Sequence, residues 1–154
     1  MNKNYHPQKQ IAVELIAYGS REYQQACQLR YELFFAEHGL PWDVVLDEHH
    51  AEYFHAAILI QDCVVAYGQL VPHSSQIYQI CQMVVKPNYQ GQNLGRQILF
   101  TLIKIAKQEK AIAITLNARL TAVGFYQNLG FQTCGAQFPS PTTGVIHIQM
   151  NKKL

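Results

Sequence analysis

Val84-Val85-Lys86-Pro87-Asn88-Tyr89-Gln90-Gly91-Gln92-Asn93-Leu94-Gly95-Arg96 leaves an apolar, β-branched run, crosses a loop holding two glycines and enters a periodic segment. Downstream, Leu94, Ile98, Leu102 and Ile105/Ala106 recur every three to four residues, which predicts an amphipathic helix from Asn93 to about Gln108. Upstream, Ile77 to Lys86 reads as a strand closed by Pro87-Asn88. A helix N-terminus presents unpaired N–H groups and a partial positive charge, so it favours anionic phosphate. Gly91 allows unusual backbone angles, Gly95 permits close approach of a ligand, and Arg96 offers a charged fork. The loop lacks the Gly-Lys-Ser/Thr ending of a Walker A motif and the three glycines and later acid of a Rossmann fingerprint. Taken alone, it reads equally well as an ordinary strand-to-helix turn.

Working outward, Ile11–Ile16 reads as a first strand. Ser20 is a suitable N-cap for a helix with Leu29, Leu33 and Phe34 on its apolar face, ending near Gly39. Pro41 to Glu52 is acidic and irregular or short-helical. His55–Gln61 and Val64–Val71, broken at Asp62, predict an antiparallel hairpin. Ile112–Leu116 lacks alternation, as a strand buried on both faces would. Thr121–Leu129 is helical up to Gly130, and Phe131–Phe138 and Val145–Met150 finish as strands. The order β-α-β-β-β-α-β-α-β-β describes an α/β (α+β) mixed sheet with helices packed on it.

Within Ala122-Val123-Gly124-Phe125-Tyr126-Gln127-Asn128-Leu129-Gly130-Phe131, the plain reading puts Phe125, Leu129 and Phe131 in the core. Tyr126 is then a partly buried aromatic in need of a hydrogen-bond partner.

In this order and spacing, the two segments resemble the GNAT superfamily of N-acetyltransferases. The signature Gln/Arg-x-x-Gly-x-Gly/Ala reads Gln90-Gly91-Gln92-Asn93-Leu94-Gly95, and Ala-x-x-Phe-Tyr-x-x-x-Gly-Phe is intact from Ala122 to Phe131. More narrowly, the chain looks like the ElaA-like branch. The supporting pieces are Leu29-Arg30 before Phe34, the stretch from Asp47 to His55, Leu116-Asn117-Ala118-Arg119, and Val145-Ile146-His147-Ile148-Gln149-Met150. The resemblance implies a GNAT-like acyl-CoA N-acyltransferase fold over a single domain, residues 1–154. It implies acetyl-CoA as co-substrate and direct transfer of the acetyl group to an amine on a small molecule or peptide. Met83, Val84 and Val85 would align the pantetheine arm and polarise the thioester carbonyl. N–H groups from Gln90, Gly91, Gln92, Asn93, Leu94, Gly95 and Arg96 would hold the pyrophosphate. Tyr126 would protonate the leaving thiolate as general acid.

There are two departures from the pattern. Asn93 replaces a usual glycine, and Asn tolerates left-handed angles better than most residues. The strand that often carries a general-base carboxylate offers only Gln79 and Gln82, which leaves His73, Glu32 and Glu48 as candidate bases. A catalytically silent acyl-CoA-binding module is the alternative reading.

Composition bounds the rest. At 154 residues, with 49% apolar and 14% charged residues, the chain is globular in composition. Its net charge of +2 conceals an acidic stretch up to Asp62 and a basic one after it. That split suggests a basic part receiving an anionic cofactor and an acidic part lining the entrance for a cationic amine. The four widely spaced cysteines, Cys27, Cys63, Cys81 and Cys134, read as buried thiols in a reducing, cytoplasmic compartment. No apolar run reaches 18 residues, so no membrane span is expected, and no basic motif points to nucleic acid. Asp47 to His55 has metal-site residue types without ligand spacing, so no metal is expected. The roles of His55 and His147 and the oligomeric state, a homodimer included, stay open.

Overall fold

Gln61 (φ 50°) and Asp62 (φ 61°) are both left-handed and fold β2 (Phe54–Ile60) back onto β3 (Cys63–Ser74). Paired positive φ angles match the twist of a two-residue hairpin, so the expected antiparallel pair forms. The computed structural model describes residues 11–154. The other strands are β1 (Val13–Leu15), β4 (Ile77–Val85), β5 (Ala113–Arg119), β6 (Gln132–Pro139) and β7 (Ile146–Lys153). All seven join one sheet in the order β1-β2-β3-β4-β5-β7-β6. Its neighbours are antiparallel except β4 and β5, which run parallel.

The sheet lies between two helices. Helix α2 (Leu94–Gln108) packs its apolar stripe of Ile98, Leu99, Leu102 and Ala106 against Ala56, Ile58, Ala66 and Leu70. Helix α1 (Arg21–Arg30) covers the other face with Ala26 and Leu29 against Ala57, Val64 and Tyr67. Alternation along β2, with Ala56 and Ile58 facing one way and Ala57 the other, divides the two cores. Gly68 lets α2 approach β3. A Cβ built there would lie 2.8 Å from Ile98 Cγ2 and 3.2 Å from Leu102 Cδ1.

Ser20 caps α1 by accepting a hydrogen bond from the Tyr23 N–H at 3.1 Å. The helix expected to continue towards Gly39 instead widens at Tyr31–Phe35 into a π-helical turn and tightens at Ala36–His38 into a 3-10 turn. Gly39, at φ 67°, then stops it.

Two readings of side chains are corrected. Phe125, expected in the core, is 39% exposed, whereas Tyr126 is 8% exposed. A 3-10 turn over Leu120–Ala122 precedes the short helix α3 (Val123–Gln127) and sets which of its faces turns inward. Of the four cysteines, Cys27 is buried, Cys81 half-buried, and Cys63 and Cys134 exposed.

Candidate active site

The parallel ladder between β4 and β5 begins at Ile77↔Ala113 and ends at Ile80↔Leu116. Beyond it, β4 continues against β3 with a change of register between Gln69↔Cys81 and Tyr67↔Val84. Gln82 sits in this irregularity at φ 57°. An extra residue bends and twists a strand away from its neighbour, while β5 continues along β7 through Asn117↔Gln149 to Arg119↔His147. The end of the β4–β5 ladder is where cavities open.

One cavity, of about 640 Å³, runs along β4 to the start of α2. Its walls include Met83, Val84, Val85, Gln90, Gly91, Asn93, Leu94, Gly95 and Arg96, with Thr121, Phe125, Asn128 and Leu129 opposite. Of the residues expected to bind cofactor, only Gln92 is outside this lining. The turn is built as the sequence requires. Gly91 has φ 76° and Asn93 φ 63°, so Asn93 adopts the left-handed angle that its signature position needs. No side chain caps α2, and its first internal hydrogen bond runs from the Gln97 N–H to the Asn93 carbonyl at 3.1 Å. The N–H groups of Leu94, Gly95 and Arg96 therefore have no partner within the helix. Gln90 Nε2 donates to the Val85 carbonyl at 3.1 Å and ties the loop to the strand. Arg96 stacks over Phe100, with its guanidinium carbon 5.1 Å from the ring centre.

A second cavity, of about 350 Å³, lies on the other side of the junction. Gln79, Cys81 and Gln82 come to it from β4, Asn117 and Arg119 from β5, and His147 from β7. Phe34 and Phe35 arrive from the π-helical turn, and Ser140 to Thr143 close it from the β6–β7 loop. Met83, Ala122 and Tyr126 belong to the walls of both cavities.

Tyr126 is held by aromatic edges, with ring centroids 5.0 Å from Phe125 and 5.8 Å from Phe131. Burial pushes its hydroxyl up to about 12, with the nearby Cys81 thiol adding to the rise. Burial likewise raises Cys81 to about 12, against the pull of Arg30. Both groups are therefore neutral near pH 7.

A third cavity, of about 430 Å³, adjoins at Gln82 and is polar, lined by Arg30, Asp47, His49, His50 and Gln69 among others. Behind it runs a buried chain of hydrogen bonds. The Tyr23 hydroxyl meets His50 Nδ1, and His55 Nε2 donates to the His50 carbonyl at 2.6 Å. That bond puts the hydrogen on Nε2, and His55 Nδ1 lies 2.7 Å from the Tyr67 hydroxyl, which is also 3.0 Å from Gln69 Oε1. Burial, then the charge of Arg30, pulls His50 down to about 4, although Asp47 opposes this. His55 is lowered chiefly by burial, against its bond to the His50 carbonyl and helped by Arg30. His50 and His55 thus form a neutral, hydrogen-bonded network beneath the site.

The structure does not bring His73 or Glu32 to the junction. His73 is exposed near the end of β3, and Glu32 is exposed on the π-helical turn, bonded to Gln28 at 2.7 Å. The side chain of Glu48 lies outside the described residues. Nor does the acidic first part line the entrance: among the described residues, neither cavity meeting at Tyr126 has an Asp or Glu in its wall, and Arg119 is the charged residue of the smaller one. Sequence reasoning missed the meeting of Arg119 and His147, which lie in distant segments and come together only through the β5–β7 register.

Known proteins share this fold. A candidate acetyltransferase of Bacillus subtilis (strain 168) is 29% identical over 133 residues, covering 83% of this chain and 87% of its own. The crystal structure of Escherichia coli ElaA superimposes with a TM-score of 0.77 at 20% identity, covering 92% of this chain and 99% of that one. An aminoglycoside 6′-N-acetyltransferase crystallised with coenzyme A gives a TM-score of 0.74 at 16% identity, over 92% of this chain and 96% of that one. These likenesses establish the fold, an acyl-CoA N-acyltransferase mixed sheet. Residues 43–154 match the family described as Acetyltransferase (GNAT) domain, and with most of its length so matched the chain belongs to the GNAT acetyltransferases.

Proposed function

We propose that the protein is an acetyl-CoA-dependent N-acetyltransferase that passes the acetyl group directly to an amine, with Tyr126 as general acid. The observation that carries this reading is that Tyr126 and Met83 belong to both cavity walls. The larger cavity would take acetyl-CoA, with its pyrophosphate on the unpaired N–H groups of Leu94, Gly95 and Arg96 and on the Arg96 side chain. The pantetheine arm would run along Met83 to Val85, whose backbone would polarise the thioester carbonyl as an oxyanion donor does. The smaller cavity would hold the acceptor, a small molecule or a peptide.

The amine attacks the thioester carbon, and the intermediate collapses with cleavage of the C–S bond. A tyrosine held near 12 keeps its proton at neutral pH and can donate it to the sulfur as negative charge develops there. Complete transfer to a free thiolate would be uphill, since thiols ionise near 8.5. The Tyr126 hydroxyl is therefore suited to act in step with bond cleavage. Aligning both substrates supplies much of the rate enhancement.

Isothermal titration with acetyl-CoA, followed by thiol release across a polyamine, an aminoglycoside and a peptide amine, tests the reading. Binding with acceptor-dependent release is expected. Failure of acetyl-CoA to bind would defeat it.

A further inference from the structure

We propose that His147 is the general base of the transfer, receiving the acceptor amine's proton on Nε2. This inference rests on the acetyltransferase reading above and supplies the base that β4 lacks.

The geometry determines which nitrogen is free. His147 Nδ1 lies 2.8 Å from the carbonyl oxygen of Val145. A carbonyl oxygen only accepts, so Nδ1 carries the hydrogen and Nε2 of the neutral ring holds a lone pair. Nε2 makes no hydrogen bond among the described residues. Phe138 stacks on the ring with centroids 6.2 Å apart and planes 26° from parallel, so the imidazole is held on a face as well as at one edge. Its other edge turns away from its own backbone, and the residue lines the same 350 Å³ cavity as Tyr126. One wall thus carries a fixed proton acceptor and another a proton donor. A binding pocket needs neither, whereas acyl transfer to an amine needs both.

The step balances. A neutral amine forms a C–N bond to the thioester carbon, and the carbonyl π electrons move to oxygen. The nitrogen, now cationic and much more acidic than a free ammonium, gives one proton to His147 Nε2. The C–S bond then breaks, and the sulfur takes the Tyr126 proton. Transfer from the imidazolium to the phenolate through water restores both residues. Arg119, opposite His147 in the β5–β7 ladder and in the same cavity wall, disfavours entry of the acceptor as a cation.

The test pairs His147→Asn with His147→Ala. The Asn side chain can keep a donor towards the Val145 carbonyl while removing the base. It should lower kcat by about 10²–10⁴ on whichever acceptor of the panel reacts fastest, with acetyl-CoA affinity and melting temperature preserved. The Ala variant should regain activity as imidazole is added, which a purely structural role would not allow. Nitrogen-15 NMR of the wild type should show hydrogen on Nδ1. A His147→Asn kcat within threefold of wild type, no rescue by imidazole, or hydrogen on Nε2 would each overturn the assignment. In the first two cases the wild type still acetylates amines, so the acetyltransferase reading would stand; a wild type acetylating no amine would instead remove that reading and the base with it.

Discussion

Ile80 and Leu116 form the last rung of the parallel ladder between β4 and β5, and the two cavities that share Tyr126 lie beyond that rung. A sheet interrupted there exposes backbone groups that regular pairing would consume.

Tyr126→Phe should lower kcat by about 10²–10⁴, the ordinary worth of a general acid, while acetyl-CoA affinity stays within about twofold. The ring packing with Phe125 and Phe131 survives the substitution. Steady-state kinetics with calorimetry decides the matter, and an unchanged kcat removes Tyr126 from the mechanism.

Gly95→Ala and Gly95→Val should separate. A Cβ at Gly95 meets Val85 Cγ2 at 3.6 Å and Phe125 at 3.7 Å, ordinary contact distances, so Ala fits the fold. The two further methyl groups of Val would enter the cavity at the α2 N-terminus and abolish CoA binding while the protein stays folded. Titration with CoA, alongside a melting curve, checks both variants. Normal CoA affinity in a folded Gly95→Val would contradict the phosphate role of the turn.

Gly68→Ala should destabilise the protein by about 1–3 kcal/mol, the usual cost of overpacking. Its Cβ would crowd Met83 Sδ and Ile98 Cγ2. Met83 also lines both cavities, so CoA affinity should fall as well. Urea denaturation and titration measure the two effects separately.

Stability should fall as pH drops from about 6.5 towards 4. His50, pulled down to about 4 by burial and by Arg30, stays neutral in the folded chain while its unfolded counterpart takes up a proton below 6.5. The unfolded state then binds more protons, so protonation favours unfolding. The loss approaches about 3 kcal/mol at the low end, with His55 acting in the same direction. Chemical denaturation across this pH range in wild type and His50→Gln should show a shallower slope in the variant; equal slopes would refute the assignment.

Much of this was legible in the sequence, and the rest depended on pairing. The stripe from Leu94 to Ala106 disclosed α2, and Gly91 with Gly95 disclosed the turn before it, because both signals are local. The bulge at Gln82 was not legible, since it exists only in the register between β3 and β4. Phe125 was misplaced in the core, and Tyr126, read as partly buried, is buried, because the phase of the short helix α3 is not written in its sequence. His147 was visible as an alternating strand residue, but its role depends on Arg119 across the ladder and on the bond of Nδ1 to Val145. The charge split described two halves of the chain and not the walls of the site, where, among the described residues, Arg119 is present and carboxylates are absent.

The most direct test is a crystal structure of the protein with acetyl-CoA. The pyrophosphate should accept hydrogen bonds from the N–H groups of Gly95 and Arg96, and the thioester should lie between Met83 and the Tyr126 hydroxyl, its carbonyl carbon open to the His147 cavity. Acetyl-CoA bound anywhere other than the break between β4 and β5, or with its sulfur out of reach of Tyr126, would contradict the account.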